Sequence, residues 1–288
     1  MNLSVLIPVF NEDIRLLVRR LQEQEWPPEL EWEILIYDDG SLPAFRQINA
    51  LVKDWTLVRY VELPHNLGRA GIRNRLAKDA KGEYVLFLDG DALPRDRFFL
   101  QRYLAKAEPD CLLNGGTLYS ENPPRESEKY LRWLYGRKRE QKPARLRMLN
   151  PCLHFHTFNF FGPRHIISEN PFDEKLKQYG YEDTLFAYEL KKRGVAIRHI
   201  DNPAIHLGLD PAAVFLKKIK QGIDNLLQLQ KTYPDFSTRL LKQEEKFARL
   251  PLPVFLLPVL EKYLSSSSKP SLFALDLYKW LYLRKCLR

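Results

Sequence analysis

Cysteine is scarce in this 288-residue chain. The three present, Cys111, Cys152 and Cys286, are odd in number and far apart. That excludes a disulfide framework and a cysteine-based zinc site, and it fits a reducing compartment. The 13 glycines and 20 prolines are too few and too scattered for a collagen or a low-complexity linker protein. Long apolar runs are missing as well. The longest, residues 250–260, has 11 residues and contains three prolines, so a membrane-spanning helix is not expected. Met1-Asn2-Leu3-Ser4 offers no basic n-region and the first apolar stretch stops at Pro8, so a secretory signal is not expected either. A cytoplasmic location follows as the expectation.

Charge is unevenly spread. The net charge is +9, yet residues 1–213 hold 31 Lys/Arg against 30 Asp/Glu, and residues 214–288 hold 14 against 6. The basic character belongs to the tail region. An anionic membrane surface on the inner face, a nucleic acid, or no partner in particular could explain it. The near-neutral first 213 residues carry no nucleic-acid motif, so no nucleic-acid partner is expected. Residues 214–230 place Val214, Phe215, Ile219, Ile223, Leu226, Leu227 and Gln230 around a helix rich in Lys217, Lys218 and Lys220. Such a helix suits a bilayer surface, as do residues 250–260 and Trp280, Tyr282, Leu283 beside Arg284, Lys285 and Arg288. Equally, these stripes could pack against the rest of the protein.

The first 90 residues alternate. Residues 3–9, 32–37, 57–63 and 84–88 read as short buried strands. Residues 11–24, 44–53 and 70–81 read as helices, the first with Asn11 as a candidate cap. This alternation predicts a mostly parallel α/β sheet with right-handed crossovers, and such sheets bind ligands beyond the carboxyl ends of their strands. Polar clusters stand at those ends: residues 10–12, 38–41 and 89–91. Further on, residues 98–107 read as a helix, 111–119 as a strand, and 121–149 as a charged, mobile helical insertion. Residues 182–193 read as a helix, 195–200 as a strand, and 211–288 as mainly helical.

Asp89-Gly90-Asp91 is the sharpest local feature. Two carboxylates around a glycine can face one hard cation such as Mg²⁺, or simply form a solvated turn. Asp38-Asp39-Gly40-Ser41 could accept from a base or a ribose, or cap a turn. Residues 66–74 form a Gly-bearing loop opening a helix with Arg73, suited to an anion. It is no Walker loop, and no Gly-x-Gly-x-x-Gly follows the first strand. Glu182-Asp183 could complement a helix dipole or supply a general base. His206 is either a metal ligand or a strand-end histidine, and His154 and His156 are read as structural.

Ile7-Pro8-Val9-Phe10-Asn11-Glu12, Asp38-Asp39-Gly40-Ser41, Asn66-Leu67-Gly68 with Arg73-Asn74, Asp89-Gly90-Asp91, and Gly180-Tyr181-Glu182-Asp183 together resemble the family 2 glycosyltransferases of the GT-A fold. Order and spacing agree over residues 1–210, which the resemblance makes the catalytic domain, with 211–288 a helical basic region. The resemblance implies an inverting transferase of cell-surface glycan or polysaccharide biosynthesis. It would use a nucleotide-activated sugar, usually a UDP-sugar, and Mg²⁺ or Mn²⁺. The acceptor would be a glycan or a lipid-linked molecule.

Carried over residue by residue, Pro8, Phe10 and Glu12 would line the nucleotide pocket, Asp39 would accept from the base, and Arg73 would lie near the nucleotide. Asp89, with Gly90 beside it, would hold the ribose. Asp91 and His206 would hold the metal. Asn159 would touch the donor sugar or acceptor. Asp183 would be the catalytic base, with Glu182 positioning the acceptor. Two departures stand out. Thr184-Leu185-Phe186-Ala187-Tyr188-Glu189-Leu190 follows the acidic pair where the family often has an acid and an Arg. No Gln-x-x-Arg-Trp motif occurs, so a processive synthase is not expected. Rival classes are a nucleotidyltransferase and an inactive nucleotide-sugar-binding protein. The first should carry a basic Gly-rich loop after the first strand, where this chain has Pro8-Val9-Phe10-Asn11-Glu12.

Overall fold

The computed structural model describes residues 2–176, 180–248 and 253–287. In chain order it runs β1 (Asn2–Val9), α1 (Arg15–Gln22), β2 (Glu31–Asp38), α2 (Pro43–Asn49), β3 (Val58–Glu62), α3 (Gly68–Asp79), β4 (Tyr84–Leu88), β5 (Ala92–Pro94) and α4 (Phe99–Leu104). There follow β6 (Cys111–Asn114), β7 (Thr117–Leu118), α5 (Tyr130–Tyr135), α6 (Ala144–Arg147), β8 (Asn159–Pro163), α7 (Arg164–Glu169), α8 (Glu182–Lys192), β9 (Ala196–His199) and β10 (Ala204–His206). Helices α9 (Ala212–Thr232), α10 (Arg239–Lys246), α11 (Leu257–Ser266) and α12 (Leu272–Cys286) complete it.

Two compact units emerge. The first comprises Met1–Tyr119, Gln141–Lys177 and Glu182–Gly208; the second comprises Ser120–Glu140, Gln178–Tyr181 and Leu209–Arg288. The first is built on a seven-stranded sheet in the order β3-β2-β1-β4-β8-β6-β9. Strands β3, β2, β1 and β4 run parallel, and β8 is antiparallel to both β4 and β6. Successive side chains of a strand point to opposite faces, and the sequence obeys this. Leu3, Val5, Ile7 and Val9 pack with Ile14, Leu17, Val18 and Leu21 of the α1 region on one face. Leu6, Leu35 and Phe87 pack with Ala70 and Leu76 of α3 on the other. Both faces are covered, which is why the strands read as continuous apolar runs.

The chain winds outward from β1 to β2 and β3, then returns to place β4 on the other side of β1. That reversal is the switch point where open α/β sheets leave a crevice at their carboxyl ends. A second sheet, β5-β10-β7, brings His206 opposite Ala92, directly after Asp91.

Several elements differ from expectation. Helix α1 starts at Arg15, and Asn11 does not cap it. Its φ is +56°, its backbone N–H donates to Ser41 Oγ at 2.8 Å, and its Oδ1 accepts from the Leu42 N–H at 2.8 Å. The single strand expected over 111–119 breaks at Gly115-Gly116, where φ of Gly116 is +88°, and its halves join different sheets. The charged stretch 121–149 falls partly in each unit, with Leu131 and Arg132 of α5 and Arg147 of α6 buried.

The second unit has its own core. Phe215 and Leu216 of α9 pack with Leu257 and Leu264 of α11, Leu275, Tyr278 and Leu281 of α12, and Leu131 of α5. Of the α9 stripe read as a bilayer face, Phe215 packs in this core and Ile223 and Leu226 are buried, whereas Val214 stays exposed. The α12 end is likewise engaged: Leu283 is buried, Trp280 Nε1 donates to Glu244 Oε2 at 2.7 Å, Tyr282 bonds Asp224, and Arg284 pairs with Glu244. Residues 250–252 and Arg288 of that reading lie outside the described residues. Among the described residues no helix is long and apolar enough to cross a membrane.

Candidate functional site

The loops after β1, β2 and β4 meet at the switch point. Asp38, fully buried at the end of β2, accepts from the Ser41 N–H at 2.7 Å and the Tyr60 hydroxyl at 3.1 Å, fixing the turn. Burial and then that carboxylate push the Tyr60 phenol above its ordinary value. Asp39 reaches the other way. Its Oδ1 accepts from the Leu67 N–H at 2.6 Å and its Oδ2 from the Gly68 N–H at 3.0 Å. Burial raises the Asp39 carboxyl, and these two N–H groups oppose the rise. Asp39 thus holds the start of α3, the helix that carries Arg69 and Arg73. A Cβ on Gly90 would lie 3.5 Å from Glu12 Cβ and 3.6 Å from the Pro8 carbonyl oxygen, so Pro8, Glu12 and Gly90 are neighbours. Phe10 is exposed on the same loop.

Arg73 sits at the centre of the acidic residues. It is 3% exposed, its Nη2 lies 2.6 Å from Asp89 Oδ1, and its Nη1 donates to the Arg69 carbonyl at 3.2 Å. Burial opposes its charge, but Asp89, Asp183 and Glu182 outweigh that and raise its pKa. Asn74, one residue on, clamps the approach to α8: its Nδ2 donates to the Phe172 carbonyl at 3.0 Å, and its Oδ1 accepts from the Phe172 N–H at 2.9 Å.

Glu182 and Asp183 open α8 and face different surroundings. Glu182 lies 3.6 Å from Arg69, yet burial and the neighbouring Asp183 raise its carboxyl. Burial alone would raise Asp183 too, but His156, Arg73 and the Thr157 N–H hold it below the ordinary carboxylate value. Adjacent carboxyl groups driven in opposite directions are suited to different tasks.

Three consecutive residues tie the pieces together. His156 Nδ1 is 3.7 Å from Asp183 Oδ2. Thr157 donates to Asp183 twice, from its N–H at 3.2 Å and its hydroxyl at 3.1 Å. The Phe158 carbonyl accepts from the Asp89 N–H at 3.2 Å, and the Phe158 ring stacks on His206 with centroids 4.9 Å apart. His206 also stacks on Tyr119 at 5.3 Å, and its Nδ1 is 3.5 Å from Asp91 Oδ2. A Cβ on Gly208 would collide with that carboxylate, so glycine permits the close approach.

Asn159 ends this segment. It is 1% exposed; its Oδ1 accepts from the Tyr103 hydroxyl at 2.6 Å, and its Nδ2 donates to the carbonyls of Gly116 at 3.1 Å and Asn202 at 2.9 Å. An amide so engaged holds the segment in place. Sequence reasoning set His156 aside as structural and did not raise Thr157 or Tyr119; no local pattern marks contacts made 26 residues away.

Asp91 and His206 fit a hard divalent cation to a limited degree. Among the described residues no group of three His, Cys, Asp or Glu could hold a metal. One carboxylate and one imidazole, with the Gly208 cradle, suit an ion whose other ligands are diphosphate oxygens and water.

The family model for glycosyl transferase family 2 matches residues 4–171. The poly(ribitol-phosphate) β-N-acetylglucosaminyltransferase TarP of Staphylococcus aureus is 35% identical over 97 residues, covering 33% of this chain and 29% of that protein. A poly(ribitol-phosphate) β-glucosyltransferase of Bacillus spizizenii is 38% identical over 95 residues, 32% of this chain and 15% of its own. These matches span 29% and 15% of their relatives' length, so the chain covers less than a third of either. In fold, the chain is similar to residues 1–349 of S. aureus TarS, solved in complex with UDP-GlcNAc, with a TM-score of 0.55 at 17% identity, covering 100% of this chain and 92% of that one. It is also similar to the mannosyltransferase PcManGT of Pyrobaculum calidifontis, solved with GDP-Man and Mn²⁺, with a TM-score of 0.59 at 18% identity, covering 99% and 84%. The fold is the GT-A type.

Proposed function

The chain belongs to glycosyl transferase family 2, and from that premise we propose that it is an inverting glycosyltransferase moving a hexosyl or N-acetylhexosaminyl group from a UDP-sugar to a hydroxyl of a cell-surface glycan or lipid-linked acceptor. The observation carrying this reading is the segment 156–158, which bonds the base candidate Asp183 at one end and the Asp89 and His206 side at the other. Relatives named for N-acetylglucosaminyl and glucosyl transfer to poly(ribitol-phosphate) support the acceptor class.

Asp183 takes the proton from the acceptor hydroxyl as that oxygen attacks the anomeric carbon, on the face opposite the departing nucleoside diphosphate, so configuration inverts. Its lowered pKa keeps it ionised at neutral pH, and the two Thr157 donors fix its orientation. Glu182, drawn to Arg69, positions the acceptor. On the donor side, Asp89 accepts from the ribose with Arg73 setting its direction. Asp39 accepts from the base using lone pairs left by its two N–H bonds, and Pro8, Phe10 and Glu12 line the nucleotide. Asp91 and His206 would hold Mg²⁺ or Mn²⁺, which when bound neutralises charge developing on the leaving diphosphate.

The reading is tested by incubating the protein with nucleotide sugars and Mn²⁺ and assaying nucleoside diphosphate release. Release from a UDP-sugar, lost in Asp183→Asn when acceptor is present, supports it. Nucleotidyl transfer, or inertness toward every donor, contradicts it.

A further inference from the structure

The helical unit leaves an apolar ladder in water. Helix α11 buries Leu257 and Leu264, and turns outward Phe255, just before the helix, with Val259 and Tyr263. Val259 and Tyr263, four apart in α11, share one face, and Phe255 stands in the 3-10 turn that leads into the helix. The exposures of Phe255, Val259 and Tyr263 are 79%, 63% and 40%. The Tyr263 hydroxyl donates to the Lys269 carbonyl at 3.5 Å, tying the end of α11 to the loop that opens α12. On the first turn of α12, Phe273 is 78% exposed. Two phenylalanines more than three-quarters exposed in one helical hairpin are a poor arrangement in bulk water.

The charge around the ladder is one-sided. Helices α11 and α12 carry one acid each, and both are neutralised from elsewhere in the unit: Glu261 by Lys220 at 2.7 Å and Asp276 by Arg139 at 2.6 Å. Lys262 and Lys269 are exposed and have no carboxylate partner among the described residues. Lys285, near the end of α12, is exposed as well. We propose that this hairpin docks on an anionic lipid surface, with Phe255, Val259, Tyr263 and Phe273 entering the headgroup region and Lys262 and Lys269 contacting lipid phosphates. Aromatic side chains favour that interfacial depth, and unpaired lysines favour an anionic leaflet. A second copy of the chain is a poorer occupant, because a symmetric contact would bring the same lysines face to face. The docking face differs from the α9 stripe, most of which is at least partly buried, and it holds whatever reaction the sheet unit performs.

The test is flotation of the purified full chain with phosphatidylcholine vesicles and with the same vesicles containing phosphatidylglycerol, at low and high salt. The expected result is flotation with the anionic vesicles alone, weakened by salt. F255S/F273S and, separately, K262E/K269E should each reduce the bound fraction roughly tenfold. All four substituted side chains are exposed, so the thermal melts of both variants should match wild type. Absence of flotation, flotation equal on neutral vesicles, or flotation unchanged in both variants overturns the proposal. So does a dimer on sizing chromatography that F255S/F273S dissolves.

Discussion

Thr157 donates both its backbone N–H and its hydroxyl to the carboxylate of Asp183, at 3.2 and 3.1 Å. The two bonds fix a rotamer and stabilise the ionised form, which is what a general base needs before its substrate arrives. Thr157→Val removes the hydroxyl donor while leaving the N–H. A hydrogen bond to a charged group is worth ~1.5–3 kcal/mol, so kcat should fall roughly tenfold or more, with donor KM unchanged. Steady-state kinetics at saturating acceptor measures this; a change in donor KM alone would assign Thr157 to binding.

His156 acts on the same carboxylate. It and Arg73 hold the Asp183 pKa down. A base with a lowered pKa works down to a lower pH, so removing one cause must move the acid limb of the rate profile upward. His156→Gln should therefore lose kcat/KM at higher pH than wild type. An acid limb that stays put would show that His156 does not face Asp183 in the working enzyme.

Asp91 and His206 should act together. Mn²⁺ should tighten UDP binding to wild type in titration calorimetry, and Asp91→Ala should abolish that gain while leaving metal-free affinity within about twofold. UDP affinity that is equal with and without Mn²⁺ in wild type would contradict the assignment.

Acid should weaken the fold through His199. This buried ring accepts from Arg147 Nη1 at 2.6 Å on Nδ1, which leaves its Nε2–H to donate to the Pro151 carbonyl at 2.9 Å. The ring is neutral in that network. Burial, with Arg147 adding to it, depresses its pKa to about 4. The unfolded chain takes up a proton near pH ~6.5, so stability is fully present above that pH and is lost as pH falls toward 4. Urea unfolding at stepwise pH should show the decline, and His199→Gln should flatten it.

Much of this arrangement was legible in the sequence because buried parallel strands end abruptly in polar clusters. Val9, Asp38 and Leu88 close their strands within a residue or so of the expected ends. Helix α1 was placed too early because Asn11 looks like a cap, whereas its left-handed backbone lets it zip the first two loops together. The α9 periodicity announced an apolar face without saying what would cover it; α11 and α12, which begin 25 and 40 residues after α9 ends, pack on Phe215. Asn159 was named through the family resemblance alone, and the sequence could not show that its amide bonds Tyr103, Gly116 and Asn202. His156 and Thr157 escaped notice because their partner, Asp183, is brought to them only by the fold.

The central claim is that Asp183 is the base acting on an acceptor while the Asp89-Gly90-Asp91 side holds the nucleotide. The most direct measurement compares Asp183→Asn with wild type in UDP-sugar binding and in transfer to acceptor. The account predicts donor affinity within about twofold of wild type and a rate lower by ~10²–10⁴. Transfer at the wild-type rate, or loss of donor binding in step with loss of transfer, would contradict it.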